Sequence, residues 1–373
     1  MMKHIQPLDA LIRFLGARSI LLLVILSTAS VAFPQEGRLV REKIHGPSLE
    51  RNVTGEASDR NVSIYLPPSY DISPNKRYPV VYLLHGIGDT DREFTVAWSN
   101  QTDAWGTIQG LMNQGIAEGQ FGEMIIVVPN ERTKMMGSFF TNSSATGNWE
   151  DFTVKDLVDY IDKKYRTLAR SESRGIAGHS MGGYGAIKLG MKHPDIYRVV
   201  YAMNPAVLGW AGDVSVDNPA FGPLFKMTRL EEVLQGGRYT IGAICLAQAF
   251  SPNPSRPPFY ADLPFKLVDG KPQPAEPAFS KWEENFPLNM VVQYKANLLK
   301  LRGIRFDTAW EDEFTHIPIT TRALSHKLTD LGIDHTFEEY NGNHRNRMWG
   351  RNGRLYTEVL PYFWRMLDAQ KSR

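Results

Sequence analysis

Three observations point to an α/β chain, with a mostly parallel central sheet covered by helices on both faces. Short apolar runs alternate along the chain with segments whose apolar residues recur every three or four positions. Several runs are apolar throughout, as expected of central strands with no wet face. A glycine-rich turn, Gly178-His179-Ser180-Met181-Gly182, joins one such run to a helical pattern.

The elements follow in chain order. Residues 1–32 read as an export signal: Lys3, Arg13 and Arg18 precede the apolar run 20–26, and Ser30-Val31-Ala32 places small residues before a cut after Ala32. That run is shorter than the roughly 18–20 apolar residues a membrane span needs. The expectation is a cleaved signal, no stable membrane insertion afterwards, and a secreted or periplasmic protein. Residues 61–66 alternate and end at Pro67-Pro68, the pattern of an antiparallel strand on the edge side of a sheet. Residues 78–84 and 124–128 are near-continuous apolar runs, as for central strands. Further strands are expected at 175–177, 198–203, 304–310 and 335–340. Helical spacing marks 103–117, 149–165, 181–192, 317–331 and 356–369.

From about 205 to 287 the alternation breaks into a stretch rich in Pro, Gly and aromatic residues, such as Pro252-Asn253-Pro254-Ser255-Arg256-Pro257-Pro258-Phe259-Tyr260. A structureless loop of that length is improbable in a compact domain. It also lacks the periodic apolar segments for a core of its own. Residues 33–373 are therefore expected to form one domain, with 205–287 as a cap-like insertion over one end of the sheet.

Composition narrows the function classes. The 373 residues carry 42 basic and 40 acidic side chains, a formal charge of +2, so no bulk field steers the chain toward nucleic acid. The single cysteine, Cys245, excludes an intrachain disulfide, a cysteine-rich zinc site and a lipid-anchoring cysteine near the signal. Its apolar setting, Ile244-Cys245-Leu246-Ala247, suits a buried inert thiol. Asn52, Asn61, Asn100 and Asn142 each head a glycosylation sequon.

The turn around Ser180 matches G-x-S-x-G between a short strand and a helix of small residues, the arrangement that presents a serine on a sharp elbow. A bland alternative is a glycine-rich strand-to-helix turn with a solvated serine. A serine hydroxyl needs a base, and a base is expected downstream in a loop after a late strand. His344, in Tyr340-Asn341-Gly342-Asn343-His344, fits; His316 is the only downstream rival, His326 and His335 reading as surface positions. The acid is expected between the two, after a strand. Glu311, Asp312 and Glu313 all follow the run 304–310, and Asp312 is favoured. Two backbone N–H groups are expected to bind the oxyanion: Met181, after the serine, and Ile87, in Leu84-His85-Gly86-Ile87-Gly88. That loop is neither a phosphate loop, lacking Gly-Lys-Ser/Thr, nor a dinucleotide fingerprint, since Asp91 stands in place of the third glycine.

These residues resemble the putative-esterase family of α/β-hydrolases, which includes esterase D, feruloyl esterases, enterochelin-esterase-like proteins and mycolyltransferases. The resemblance runs from about residue 60 to 364. It is carried by Tyr65-Leu66-Pro67-Pro68-Ser69-Tyr70, Tyr78-Pro79-Val80-Val81-Tyr82-Leu83-Leu84-His85-Gly86, Gly178-His179-Ser180-Met181-Gly182-Gly183 and Gly342-Asn343-His344. It implies an α/β-hydrolase fold and no metal or organic cofactor. Aligning the family's Gly-x-x-Asp motif places Asp312 as the acid, with Ala309 where glycine is common. Gly137-Ser138-Phe139-Phe140-Thr141-Asn142, leading to Trp149, is similar to the family's substrate-side loop, which implies substrate contacts from Phe139, Phe140 and Trp149. The insertion departs from the compact members and would roof the pocket.

The expected function is an exported serine carboxylic-ester hydrolase using Ser180, His344 and Asp312. Its expected substrate is a small-molecule or polysaccharide ester, with feruloyl or acetyl groups first. Two other readings use the same residues: an acyltransferase to a sugar or polyol, and a non-catalytic binding module on the same fold. The aromatic side chains Phe139, Phe140, Trp149, Trp210, Phe259, Tyr260 and Trp282 fit either a substrate surface or the core of the insertion.

Overall fold

A computed structural model describes residues 35–97, 104–216, 218 and 221–369. The expected export signal and the Asn100 sequon lie outside the described residues. From residue 36 onward the described residues form one compact unit.

Eight strands make one sheet: β1 Arg38–His45, β2 Asp59–Leu66, β3 Val80–Leu84, β4 Ile125–Pro129, β5 Arg174–His179, β6 Val199–Met203, β7 Gly303–Ala309 and β8 Thr336–Tyr340. Their spatial order is β1-β2-β4-β3-β5-β6-β7-β8. Pairing is antiparallel where β2 meets β1 and β4, and parallel at every other join. All seven expected strands are present. The sequence reading missed β1, whose residues mix charges with isolated apolar side chains because it is the edge; of them only Ile44 is fully buried. With β1 outside it, β2 is one place in from the edge.

The central strands are apolar at consecutive positions because each face has its own core. Val80, Tyr82 and Leu84 of β3 share a core with Leu157, Ile161, Tyr184 and Leu189. Val81 and Leu83 face Ile108, Leu111, Leu355 and Phe363 on the other side. The helices supplying these residues are Ile108–Ala117, 149–164, Met181–Lys192 and 355–366. The helix His316–Asp330 joins the first core through Ile317, Leu324 and Leu328.

The insertion is more regular than its sequence implies. Its longest elements are a helix, Arg238–Phe250, a hairpin of Phe265–Val268 with Lys271–Pro274, and the helix Ala278–Asn285. The first of these was hidden because its C-terminal half, from Ala243 to Phe250, is buried all round, so no amphipathic stripe marks it. Phe250, Phe265, Trp282 and Phe286 belong to the same core as the sheet. Trp210 stacks on Phe279 and on Trp282, with ring centroids 5.5 Å apart in each case. These rings hold the insertion together and onto the sheet.

Candidate active site

Strand β5 ends at His179, and the next residue, Ser180, caps the helix Met181–Lys192 with φ 58° and ψ −118°. A non-glycine residue there costs about 1–3 kcal/mol and persists only when its surroundings impose it. Here Ser180 N–H donates to the Met203 carbonyl at 3.0 Å, and its carbonyl accepts from Ala206 N–H at 3.1 Å. Two glycines allow the tight turn: a Cβ on Gly178 would lie 2.2 Å from the Gly182 carbonyl oxygen, and one on Gly182 would lie 2.1 Å from that of Leu84.

His344 follows β8, and its Nδ1 donates to Asp312 Oδ2 at 2.7 Å, with both side chains buried. Asp312 Oδ1 accepts the Phe314 N–H at 2.9 Å, fixing the carboxylate from its other side. Of the three consecutive acids only Asp312 meets the ring. Glu311 is exposed, and Glu313 instead accepts the His344 backbone N–H at 3.3 Å. Two residues given no role by the sequence reading, His179 and Asn204, hold the His344 carbonyl. His179 Nε2 donates to it at 2.7 Å and Asn204 Nδ2 at 3.1 Å. Asn204 also donates to the Tyr340 hydroxyl at 2.8 Å and accepts the Ala309 N–H at 2.8 Å, so it ties together the ends of β6, β7 and β8. Burial, with His344 and Arg345 nearby, pushes the His179 imidazole well below its usual range, which suits a neutral ring under His344. Among the described residues no hydrogen bond joins Ser180 Oγ to His344.

The loop after β3 is held by its neighbours. The buried His85 ring donates from Nδ1 to the Gly86 carbonyl at 2.8 Å and accepts the Glu131 N–H at Nε2, also at 2.8 Å. Gly86 N–H donates to Glu93 Oε2 at 2.8 Å, and Gly88, at φ 84°, donates to the Met136 carbonyl at 2.8 Å. Between them the Ile87 N–H has no acceptor among the described residues, nor has Met181 N–H at the first turn of its helix. Both residues line the same cavity as Ser180.

That cavity is walled mainly by apolar side chains. Phe139 lines it, as do Phe221, Leu246, Trp282 and Phe314. Phe140 and Trp149 do not, which corrects the expectation for both. Phe140 is fully buried against the helix Met181–Lys192, where a Cβ on Gly185 would lie 2.3 Å from its ring. Trp149 is fully buried beside Phe152, its indole N–H donating to the Thr146 carbonyl at 3.0 Å. The polar residues of the wall include Asp213, Tyr239 and His316. His316, the rival for the base, bonds to Asp213 and not to Asp312. Cys245 is buried and donates to the Gly137 carbonyl; burial pushes its thiol up, so it is inert. Among the described residues no group of three or more His, Cys, Asp or Glu side chains could hold a metal ion.

The parallel sheet, the strained serine between strand and helix, and the histidine loop at the sheet's far end define the α/β-hydrolase class. The chain belongs to the family described as "Putative esterase", whose model matches residues 56–352. It is 35% identical over 136 residues to an esterase of Mycobacterium tuberculosis, covering 35% of this chain and 26% of that protein. It is 29% identical over 147 residues to an endo-1,4-beta-xylanase/feruloyl esterase of Xylanibacter ruminicola, covering 39% of this chain and 19% of the relative. The chain thus spans about a quarter or less of either relative's length. Among solved structures, a ferulic acid esterase has the same fold at a TM-score of 0.61, with 22% identity over 89% of this chain and 99% of the other.

Proposed function

We propose that this chain is an exported serine esterase that cleaves carboxylic esters through an acyl-enzyme. One observation carries the reading. A serine on a positive-φ elbow shares an apolar cavity with two unpaired backbone N–H groups, and the residue before it, His179, bonds to the carbonyl of His344, whose imidazole meets Asp312 at 2.7 Å. Ser180 Oγ attacks the ester carbonyl carbon while His344 Nε2 takes its proton. The Met181 and Ile87 N–H groups bind the oxygen as it becomes negative. His344 returns the proton to the alcohol oxygen as the C–O bond breaks, leaving the acyl group on Ser180. A water molecule, deprotonated by the same imidazole, then attacks the acyl carbonyl, and the acid leaves as Ser180 regains its proton. Asp312 keeps the proton on Nδ1 and stabilises the imidazolium without itself being protonated.

The substrate class we infer is an aromatic acyl ester borne on a plant polysaccharide. The aromatic wall residues Phe139, Phe221, Trp282 and Phe314 suit a flat acyl group. The Xylanibacter relative is named for feruloyl-ester and xylan cleavage. The signal at residues 1–32 would bring the enzyme to a polymer outside the cell. Purified Ser180→Ala should lose about 10⁴-fold or more of the turnover of 4-nitrophenyl acetate. It should also escape labelling by a fluorophosphonate that labels the unaltered protein. Full activity in that variant overturns the reading. The exported protein should begin at Phe33.

A further inference from the structure

On the wall of the cavity lies another Asp–His pair, Asp213 and the buried His316, that the reaction above does not use. His316 opens the helix His316–Asp330, and Asp213 lies in the insertion. Asp213 Oδ1 accepts from His316 Nδ1 at 2.7 Å and from the His316 backbone N–H at 2.8 Å. The Thr315 hydroxyl donates to the same oxygen at 3.2 Å, and the Tyr239 hydroxyl donates to Oδ2 at 3.1 Å. Burial alone would raise the Asp213 carboxyl. The hydrogen bond and charge of His316, with the other donors, outweigh it and hold it down to about 2. Asp213 is therefore a carboxylate at neutral pH.

That carboxylate decides how the imidazole presents itself. A carboxylate oxygen only accepts, so Nδ1 carries the proton. In the neutral ring, Nε2 on the opposite side is then a lone-pair acceptor. His316 is 4% exposed, and its Nε2 is buried with no hydrogen-bond partner among the described residues. Buried polar atoms in folded proteins are nearly always paired, and an orphan calls for an explanation. His316, Asp213 and Tyr239 line the same cavity as Ser180. Phe314 packs against both imidazoles, its ring centroid 4.9 Å from that of His344 and 6.3 Å from that of His316.

We propose that His316, oriented by Asp213, is a specificity-determining residue whose Nε2 accepts a hydrogen bond from a ring hydroxyl of the acyl group held at Ser180. The inference rests on the esterase reading and adds the group that distinguishes one aromatic acyl chain from another. The chemistry favours a hydroxyl over an anion. With Nδ1 committed to Asp213, Nε2 is the ring nitrogen left for a ligand hydroxyl, and the Asp213 charge behind the ring repels a carboxylate. The cation at the rim, Arg238, is exposed and lies over aromatic faces, 4.9 Å from the Phe314 ring and 5.1 Å from that of Tyr239. A site built to bond a hydroxyl discriminates strongly against the analogue lacking it, because its buried acceptor is then left unpaired.

The test compares kcat/KM for methyl 4-hydroxycinnamate and methyl cinnamate, which differ by one hydroxyl, with 4-nitrophenyl acetate as a substrate too small to reach His316. The unaltered protein should prefer the hydroxylated ester by about tenfold or more. In His316→Phe the ratio should fall to about one through loss on the hydroxylated ester, with the other two substrates within about threefold. His316→Gln keeps an acceptor and should retain part of the preference. If His316→Phe does not fold, His316→Leu removes the acceptor in a smaller volume and is read the same way. An unchanged ratio in a folded variant overturns the inference. So does an unaltered protein without hydroxyl preference, or one that hydrolyses 4-nitrophenyl acetate but neither cinnamate. Loss of all three substrates in a folded His316→Phe also overturns it, since His316 would then serve the reaction itself. The esterase reading falls separately, if Ser180→Ala still hydrolyses 4-nitrophenyl acetate.

Discussion

The ends of the sheet's strands and the insertion each supply an Asp–His pair, and the two pairs are nearly indistinguishable as pairs. Asp312–His344 and Asp213–His316 both have a 2.7 Å bond from Nδ1 and a buried ring. Their surroundings differ. His344 is fixed by His179, Asn204 and Glu313 at the ends of strands that also carry Ser180. Asp213 instead clasps the insertion to the first residue of a helix, through both the backbone and the ring of His316. On the proposed reading, then, an imidazole–carboxylate bond does not by itself make a general base; attachment to the strand ends that carry Ser180 does.

The largest expected effect separates the two histidines. His344→Gln should lower kcat on 4-nitrophenyl acetate by about 10⁴-fold or more, while His316→Gln stays within about threefold on that small ester. Equal losses would erase the distinction. Next comes the acid. Asp312→Asn should cost about 10³–10⁴-fold in kcat by permitting the wrong tautomer, and Asp213→Asn should leave that rate nearly unchanged.

Stability sharpens the comparison from the other side. The Asp213 carboxyl is held down to about 2, below its ordinary unfolded value. Between those two values the unfolded chain binds more protons, so the pair's contribution is complete above about pH 4 and is lost as pH falls toward 2. Asp213→Asn should lower unfolding stability by about 1–2 kcal/mol at pH 7, with the gap closing near pH 3. Urea unfolding at both pH values measures it, and a gap independent of pH would detach it from the carboxylate. The smallest effect concerns Lys188 of the helix Met181–Lys192, which joins the two regions by donating to Thr141 and to Asn285 at the end of the insertion. Burial pulls its ammonium down to about 7. The unfolded lysine keeps its proton to about pH 10, so stability should rise with pH between about 7 and 10. Lys188→Met should flatten that slope.

Much of the fold was legible because its signals are local. The apolar runs of β3 to β6 and the 3.6-residue spacing of the helices follow from burial on both faces of a sheet. The edge strand β1 was not legible, because an edge needs little apolar surface. The helix Arg238–Phe250 was hidden for the opposite reason, being buried on every side along half its length. At the site, Ser180, Met181, Ile87, Asp312 and His344 were all named from motifs; Ser180, Met181 and Ile87 line one cavity, and His344 meets Asp312. Phe140 and Trp149 were named by the same resemblance but fill the core, since an aromatic residue in a loop carries no sign of the side to which it turns. No local spacing links Asn204 to His344 or Asp213 to His316.

The sequence by itself determined the strand–elbow–helix around Ser180, the order of serine, acid and histidine, and the alternation that builds the sheet. Each is written in short-range sterics: glycines where a Cβ would collide, apolar runs where both faces are covered. The tertiary structure alone decided which aromatic rings face the cavity, and that Asp213 meets a histidine 103 residues away. Those outcomes depend on where the insertion packs. Its placement comes from the summed burial of rings such as Trp210, Phe265 and Trp282 against the sheet core, a property of the folded ensemble of contacts that no single segment of the chain contains.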